Sequence, residues 1–143
     1  MPDTPLVING WKIFAHPLFL DQFENLIQAA ETKRAKDPQG YTGSAAAKKL
    51  KAVGDLVFSI IPSDPAHPKF RQGGTLGEEH KHWFRAKFFE RYRLFFRYRT
   101  DVKVIVYAWL NDEDSLRAKG SRNDPYAVFQ GMLAGGNPPD DWG

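Results

Sequence analysis

Cysteine is absent from this sequence, which removes a disulfide framework, a thiol nucleophile and any cysteine-based zinc site together. No apolar run approaches the ~18 residues that a membrane-crossing helix needs. The opening Met1-Pro2-Asp3-Thr4-Pro5 offers neither the basic start nor the apolar stretch of a secretory signal. Internal repeats and long Pro- or Gly-rich linkers are also missing. The expectation is a single domain over residues 1–143, soluble and cytoplasmic, with no membrane contact. Acids are scarce where bases crowd. Between Lys81 and Arg99 seven basic residues (Lys81, Arg85, Lys87, Arg91, Arg93, Arg97 and Arg99) meet one acid, Glu90, although the whole chain carries only +3. Positive charge is therefore concentrated, and a field of that kind attracts polyanions and speeds their arrival.

What is plentiful is aromatic and aliphatic material. The chain is 42% hydrophobic and 14% aromatic, enough for a packed core and too much for a disordered segment. Leu6 to Phe14 reads as a strand with a break at Asn9-Gly10, ended by His16-Pro17, because the residue before proline avoids helical angles. From Leu18 to Lys36 the residues Phe19, Phe23, Leu26, Ile27 and Ala30 recur at three- and four-residue spacing, which predicts an amphipathic helix. A second helix is predicted from Ser44, a suitable N-cap, to about Ile60, with Leu50, Val53, Val57, Ile60 and Ile61 as its buried stripe. The short connection between them implies a helical hairpin. Pro62 to Gly77 reads as a loop, and its Gly-rich half lacks the strand-to-helix context of a phosphate-binding loop. Strands are predicted at Trp83–Phe89, Tyr92–Thr100 and Val102–Trp109, with connections short enough to force antiparallel neighbours. A short helix from Pro125 to Leu133, stopped by Gly135-Gly136, closes the chain. The predicted class is α+β: a helical hairpin on an antiparallel sheet, with a short C-terminal helix.

Strand parity then sorts the charges. Trp83, Arg85 and Lys87 share one face of the first of these strands, and Phe84, Ala86 and Phe88 share the other. In the second strand Arg91, Arg93, Phe95, Arg97 and Arg99 face one way, and Tyr92, Leu94, Phe96 and Tyr98 the other. If the apolar faces bury against the hairpin, the basic faces lie together on the solvent side. Basic residues interleaved along the sequence with Trp83, Tyr92, Phe95 and Tyr98 also suit RNA, whose bases stack on aromatics while phosphates pair with Arg. The plain alternative is that Arg and Lys merely solvate an exposed sheet. Two others are a non-catalytic nucleic-acid-binding module and an inert domain that docks an acidic protein. His80 and His82 compete as acid–base groups, whereas His16 and His67 read as structural. Neither the two nearby histidines nor the acidic run Asp112-Glu113-Asp114 gains a third convincing ligand, so no metal or other cofactor is expected.

At this stretch the sequence resembles a known family. Trp83-Phe84-Arg85-Ala86-Lys87-Phe88 followed by Arg91-Tyr92-Arg93-Leu94-Phe95-Phe96-Arg97-Tyr98 is similar to the YhaV toxins of the RelE-like group. So are Asn9-Gly10-Trp11 with His16-Pro17, the run Trp109-Leu110-Asn111-Asp112-Glu113, and the ending Pro138-Pro139-Asp140-Asp141-Trp142. The resemblance implies a RelE-like fold, metal-independent RNA cleavage by 2′-OH attack, and a PrlF-type antitoxin. It further implies operator DNA bound through the toxin–antitoxin complex, and the ribosome as a further candidate partner. Carried over, it makes Arg85 and Lys87 the basic pair of a Trp-Lys-x-Lys-like strand, Arg93 the transition-state arginine and Tyr126 the C-terminal tyrosine. The Arg that in RelE directly follows the last strand has no clean counterpart in this chain. Arg85 and Arg93 would stabilise the phosphorane, Lys87 would shuttle protons, and Tyr126 would stack on a base or aid proton transfer. Lys81, His82, Trp83, Arg91, Arg97, Lys119 and Arg122 complete the expected RNA-binding set.

Overall fold

The computed structural model describes residues 6–71, 82–111 and 124–136. Two short strands, β1 (Leu6–Ile8) and β2 (Trp11–Ala15), form a hairpin. Asn9 and Gly10 fill its two-residue turn with φ of 52° and 83°, the left-handed pair that tight hairpins demand and that Asn-Gly adopts readily. Helix α1 (Pro17–Lys36) follows at once. His16 caps it, its imidazole Nδ1 accepting from the Leu18 amide at 3.1 Å, while Pro17 occupies the first turn, where its missing N–H is not needed.

Helix α2 (Ala45–Asp55) starts under Ser44, whose hydroxyl accepts from the Ala47 amide at 3.2 Å. It continues through a π-helical turn, Leu56–Ile60, into one α-turn, α3 (Ile61–Ser63). Pro62 accounts for this irregularity. Leu56 O accepts from the Ile61 amide, five residues on, and the corresponding donor for Val57 O would be Pro62, which has no N–H. Tyr107 supplies the missing donor: its hydroxyl bonds Val57 O at 2.8 Å. Burial pushes the Tyr107 phenol far above its ordinary pKa, so it remains a donor.

Strands β3 (Phe84–Phe88), β4 (Tyr92–Arg99) and β5 (Val104–Leu110) form the antiparallel meander. The five-stranded sheet has the order β1-β2-β5-β4-β3. β2 lies parallel to β5, with Ile13 opposite Ile105; α1, α2 and the meander form the long crossover that a parallel pairing requires. Beyond the end of β2, Gln22 takes over as a partner for β5. Its side-chain amide accepts from Leu110 N at 3.0 Å and donates to Leu110 O at 2.7 Å.

Two cores lie on opposite faces of this sheet. On one, Phe19, Val53, Leu56, Val57 and Ile61 of the helices pack against Ala86, Leu94, Phe96, Ile105 and Tyr107. On the other, the last helix, α4 (Pro125–Ala134), lays Tyr126, Phe129 and Leu133 over Trp83, Phe95, Ala108 and Trp109. A β-bulge makes the second core possible: Phe95 pairs with Trp109 but Phe96 pairs with Tyr107, so Ala108 is the extra residue. Tyr107 and Trp109 consequently face opposite sides, where uninterrupted alternation would have put them together.

The predicted α+β class and hairpin stand, with three differences. The sheet has five strands and one parallel pairing. The second helix runs beyond Ile60, and Ile60 itself is exposed. The loop after it contains a 3-10 turn, Pro68–Phe70, capped by His67, which accepts from the Lys69 amide at 3.0 Å. His16 and His67 are thus both helix caps, the structural use expected of them. Among the described residues no helix is long and apolar enough to cross a membrane.

Candidate active site

The expected open cationic face is corrected by α4. Trp83 is 1% exposed, Phe95 0%, Arg93 6% and Arg97 6%. Phe129 stacks on Phe95 at 4.3 Å and meets Trp83 edge-on at 5.0 Å. Trp83 and Phe95 are therefore core aromatics and cannot serve as the expected platforms for RNA bases. Arg97 is drawn in with them, its guanidinium 5.2 Å above the Trp83 ring, a cation–π contact strengthened by desolvation. The sequence pattern missed this because parity identifies a face without saying what covers it. The signal was present in Phe129 and Leu133, apolar residues four apart on a short helix that needs a surface to bury them.

Two arginines of the basic strip converge on one atom. The Tyr126 hydroxyl accepts from Arg85 Nε at 2.8 Å and from Arg93 Nε at 3.2 Å. Arg85 reaches it from β3, Arg93 from β4 and Tyr126 from the first turn of α4. That turn is fixed by Asp124, which accepts from the Tyr126 amide at 3.1 Å, and by the ring of Tyr126 set edge-on to Phe95 at 5.6 Å. Three residues assigned separately to the site thus meet in space. Lys87 pairs with Arg93 across the β3–β4 ladder and is exposed.

Arg93 is held at both ends. Its Nη1 donates to Glu90 O at 2.7 Å and to Tyr92 O at 2.9 Å. The β3–β4 turn that presents the Glu90 carbonyl is bent tightly, with φ of 47° at Phe89 and 62° at Glu90. Non-glycine residues in this region cost of order 1 kcal/mol each, and the guanidinium contact is one gain that offsets it. Asn111, fully buried, secures the backbone beneath. Its Oδ1 accepts from Arg93 N at 2.7 Å and its Nδ2 donates to Arg91 O at 3.1 Å. Asn111 is a positioning residue that sequence reasoning missed, because an Asn after a strand reads as an ordinary turn residue. Three of the five guanidinium N–H groups of Arg93 are used by Tyr126, Glu90 and Tyr92, which leaves the Nη2 pair for a ligand.

Chemically, the arrangement can receive an anion on two guanidiniums and offer it the hydrogen of a phenol. A hydroxyl has two acceptor lone pairs and one hydrogen; with the former occupied by Arg85 and Arg93, Tyr126 can meet a ligand only as a donor. A phenolate left after donation would sit between two guanidiniums, which keep their charge and suit phosphoryl oxygens. His82 lies half-buried, its ring 6.0 Å from that of Trp83, and Arg91 is exposed at the β3–β4 turn. Lys81, Lys119 and Arg122, with His80 and the Asp112-Glu113-Asp114 run, lie outside the described residues. Among the described residues no group of three or more His, Asp or Glu side chains is arranged to hold a metal.

Beside this centre, a groove of about 500 Å³ runs between the end of the α2 helical segment and the β3 edge. Leu56, Ile60 and Phe70 form its apolar lining, and Lys69, Arg71, Arg85 and Lys87 its charged one. Arg85 Nη1 donates to Lys69 O in the groove wall at 2.6 Å.

Comparison with known proteins converges on one family. A family model described as a toxin with endonuclease activity, of a toxin–antitoxin system, matches residues 13–143. The ribonuclease toxin YhaV of Escherichia coli K12 is 44% identical over 142 residues, covering 98% of this chain and 92% of the relative. Toxin YhaV of Escherichia coli O157:H7 matches to the same extent. No solved structure matches the chain.

Proposed function

The chain belongs to the YhaV family of endonuclease toxins, and from that premise we propose that Arg85, Arg93 and Tyr126 form its RNA-cleaving centre, with Lys87 at its mouth. The protein is the ribonuclease toxin of a toxin–antitoxin system. The observation that carries the site assignment is the double acceptance by the Tyr126 hydroxyl from Arg85 and Arg93.

RNA carries its own nucleophile. Attack by a 2′-OH on the adjacent phosphorus forms the O2′–P bond and breaks P–O5′, leaving a 2′,3′-cyclic phosphate and a 5′-OH. The catalyst must remove the 2′ proton, hold the dianionic phosphorane and protonate O5′. Arg85 and Arg93 bind the equatorial oxygens, and Tyr126 gives its proton to O5′. Lys87, in register with Arg93, relays the 2′ proton. Charge stabilisation and proton transfer are each worth roughly 10²–10⁴-fold, enough for a nuclease without a metal. The exposed Arg91 and the half-buried His82 extend the phosphate-binding surface.

Incubating the purified toxin with naked RNA in EDTA, then mapping the ends, tests this chemistry. Cyclic phosphate and 5′-OH ends are expected. Ends with 5′-phosphate, or loss of activity on chelation, would refute 2′-OH attack by this centre.

A cationic toxin needs a partner that competes with RNA for the same surface. We assign that role to a PrlF-type antitoxin whose acidic or amphipathic segment covers Arg85, Lys87 and Arg91, the pair binding operator DNA. RNA held on the ribosome is a second substrate setting for the same cations. Saturating antitoxin should protect those three residues from chemical modification; inhibition that leaves them reactive would point to a remote site.

A further inference from the structure

We infer that the groove beside Arg85 is a nucleobase subsite, holding the base of a nucleotide next to the scissile phosphate and so setting where the toxin cuts. The inference rests on the assignment of Arg85, Arg93 and Tyr126 as the cleavage centre. Its geometry is the strongest support. Arg85 belongs to both places, with Nε on the Tyr126 hydroxyl and Nη1 on Lys69 O inside the groove wall. A phosphate on Arg85 and Arg93 therefore places an adjoining nucleotide at the groove mouth.

The chemistry of the lining fits a nucleotide. At about 500 Å³ the groove is within the range of ligand-binding clefts, roughly 300–1,000 Å³. Ile60 offers exposed apolar contact to a flat ring, with the buried Leu56 and Phe70 behind it, while Arg71 and Lys87 make no side-chain hydrogen bond or ion pair among the described residues. An apolar floor with unneutralised cations at its rim suits a ligand that is flat and apolar at one end and anionic at the other. Arg71 is exposed, held in place by an isolated bridge between its backbone and Phe84. A guanidinium so placed can read a base edge with two parallel donors, most favourably O6 and N7 of guanine. An acidic protein segment could use the same cations but has no use for a guanidinium set to read a base edge.

The test uses short RNAs cut at one known position, with an abasic nucleotide moved stepwise through the flanking sites. For the unmodified toxin, one flanking position should lose about 5- to 30-fold in kcat/KM when its base is removed. Arg71→Ala and Ile60→Glu, both at exposed positions, should cut the intact RNA more slowly and no longer distinguish it from the abasic one at that position. The same abasic profile in the toxin and both variants overturns the subsite. So does an Arg71→Ala toxin with unchanged RNA cleavage and weakened inhibition by antitoxin, which would make the groove a protein-docking surface. Arg93→Ala separates the two levels of the argument. If it abolishes cutting at every site while Arg71→Ala changes nothing, only the subsite fails. If it leaves cutting intact, the cleavage centre itself is misplaced.

Discussion

Replacing Tyr126 by Phe removes one oxygen and leaves the ring on Phe95 and in the second core. That oxygen accepts two charge-assisted hydrogen bonds, from Arg85 at 2.8 Å and Arg93 at 3.2 Å. Their loss does not cost the same at both ends. Arg85 is half-exposed and can turn to water; Arg93 is 6% exposed and is left with an Nε–H that water reaches poorly. A buried donor stripped of its acceptor costs about 1–3 kcal/mol, so the fold should lose about that much. For a domain of this size each kcal/mol moves the melting midpoint by roughly 3–5 °C, and Tm should fall by roughly 3–15 °C. Catalysis should lose far more, about 10²–10⁴-fold in the single-turnover rate, because the proton donor to O5′ is gone. RNA binding, which rests on the cations, should weaken only slightly. Thermal melts, a fluorogenic RNA assay under single-turnover conditions and a binding titration separate these effects. A Tyr126→Phe toxin with wild-type rate and wild-type Tm would refute both the hub geometry and the proton-donor role.

Arg85→Ala and Arg93→Ala should each slow cleavage by about 150-fold or more, about 3 kcal/mol of transition-state stabilisation, yet differ in stability. Arg93→Ala frees the strained turn at Phe89 and Glu90 from its guanidinium contact and should lower Tm clearly, whereas Arg85→Ala should melt within a few degrees of wild type; equal Tm values for the two would contradict the burial of Arg93. Phe129→Ala, which empties the centre of the second core, should cost about 3–5 kcal/mol in urea unfolding and loosen Tyr126 with it; a loss below 1 kcal/mol would mean that α4 does not pack as described. Burial lowers the His16 pKa from its ordinary 6.5, and only the neutral ring can accept from the Leu18 amide. Its contribution is therefore complete above about pH 6.5 and is lost as pH falls through the depressed folded value. Removing the cap with His16→Ala should cost about 1 kcal/mol at pH 8 and nearly nothing at pH 4, as read from urea melts; a pH-independent cost would assign the cap to another group.

Local signals carried much of the fold. His16-Pro17, Ser44 and Asp124-Pro125 mark helix starts through capping chemistry that acts within a turn. The meander follows from period-two alternation and short connections. Pairings set by contacts distant in sequence were not legible. The parallel match of β2 to β5 depends on where a long crossover lands, and the bulge at Ala108 depends on what Trp109 must reach. The site divides the same way. Family resemblance points to Arg85, Arg93 and Tyr126 as candidates, and strand parity puts the two arginines on one face. Their meeting at one hydroxyl and the burial of Trp83 and Arg97 follow from α4 lying on the sheet, and the clamp at Asn111 follows from the pairing of β4 with β5.

The bulge at Ala108 acts on β5 much as a frameshift acts on a coding strand. Alternation gives a strand a reading frame of two, and one supernumerary residue switches every later side chain to the opposite face. Before it, β5 is read by the helical hairpin; after it, Trp109 is read by α4 and Leu110 by the hairpin again. Deleting Ala108 would put Trp109 directly after Tyr107, where plain alternation already points it toward α4 and Leu110 toward the hairpin. Ironing the bulge out with Ala108 retained would instead exchange the two, sending an indole toward the hairpin and a leucine toward α4. The bulged pairing, more than the identity of Ala108, is thus what keeps each side chain in its own core at this point in β5.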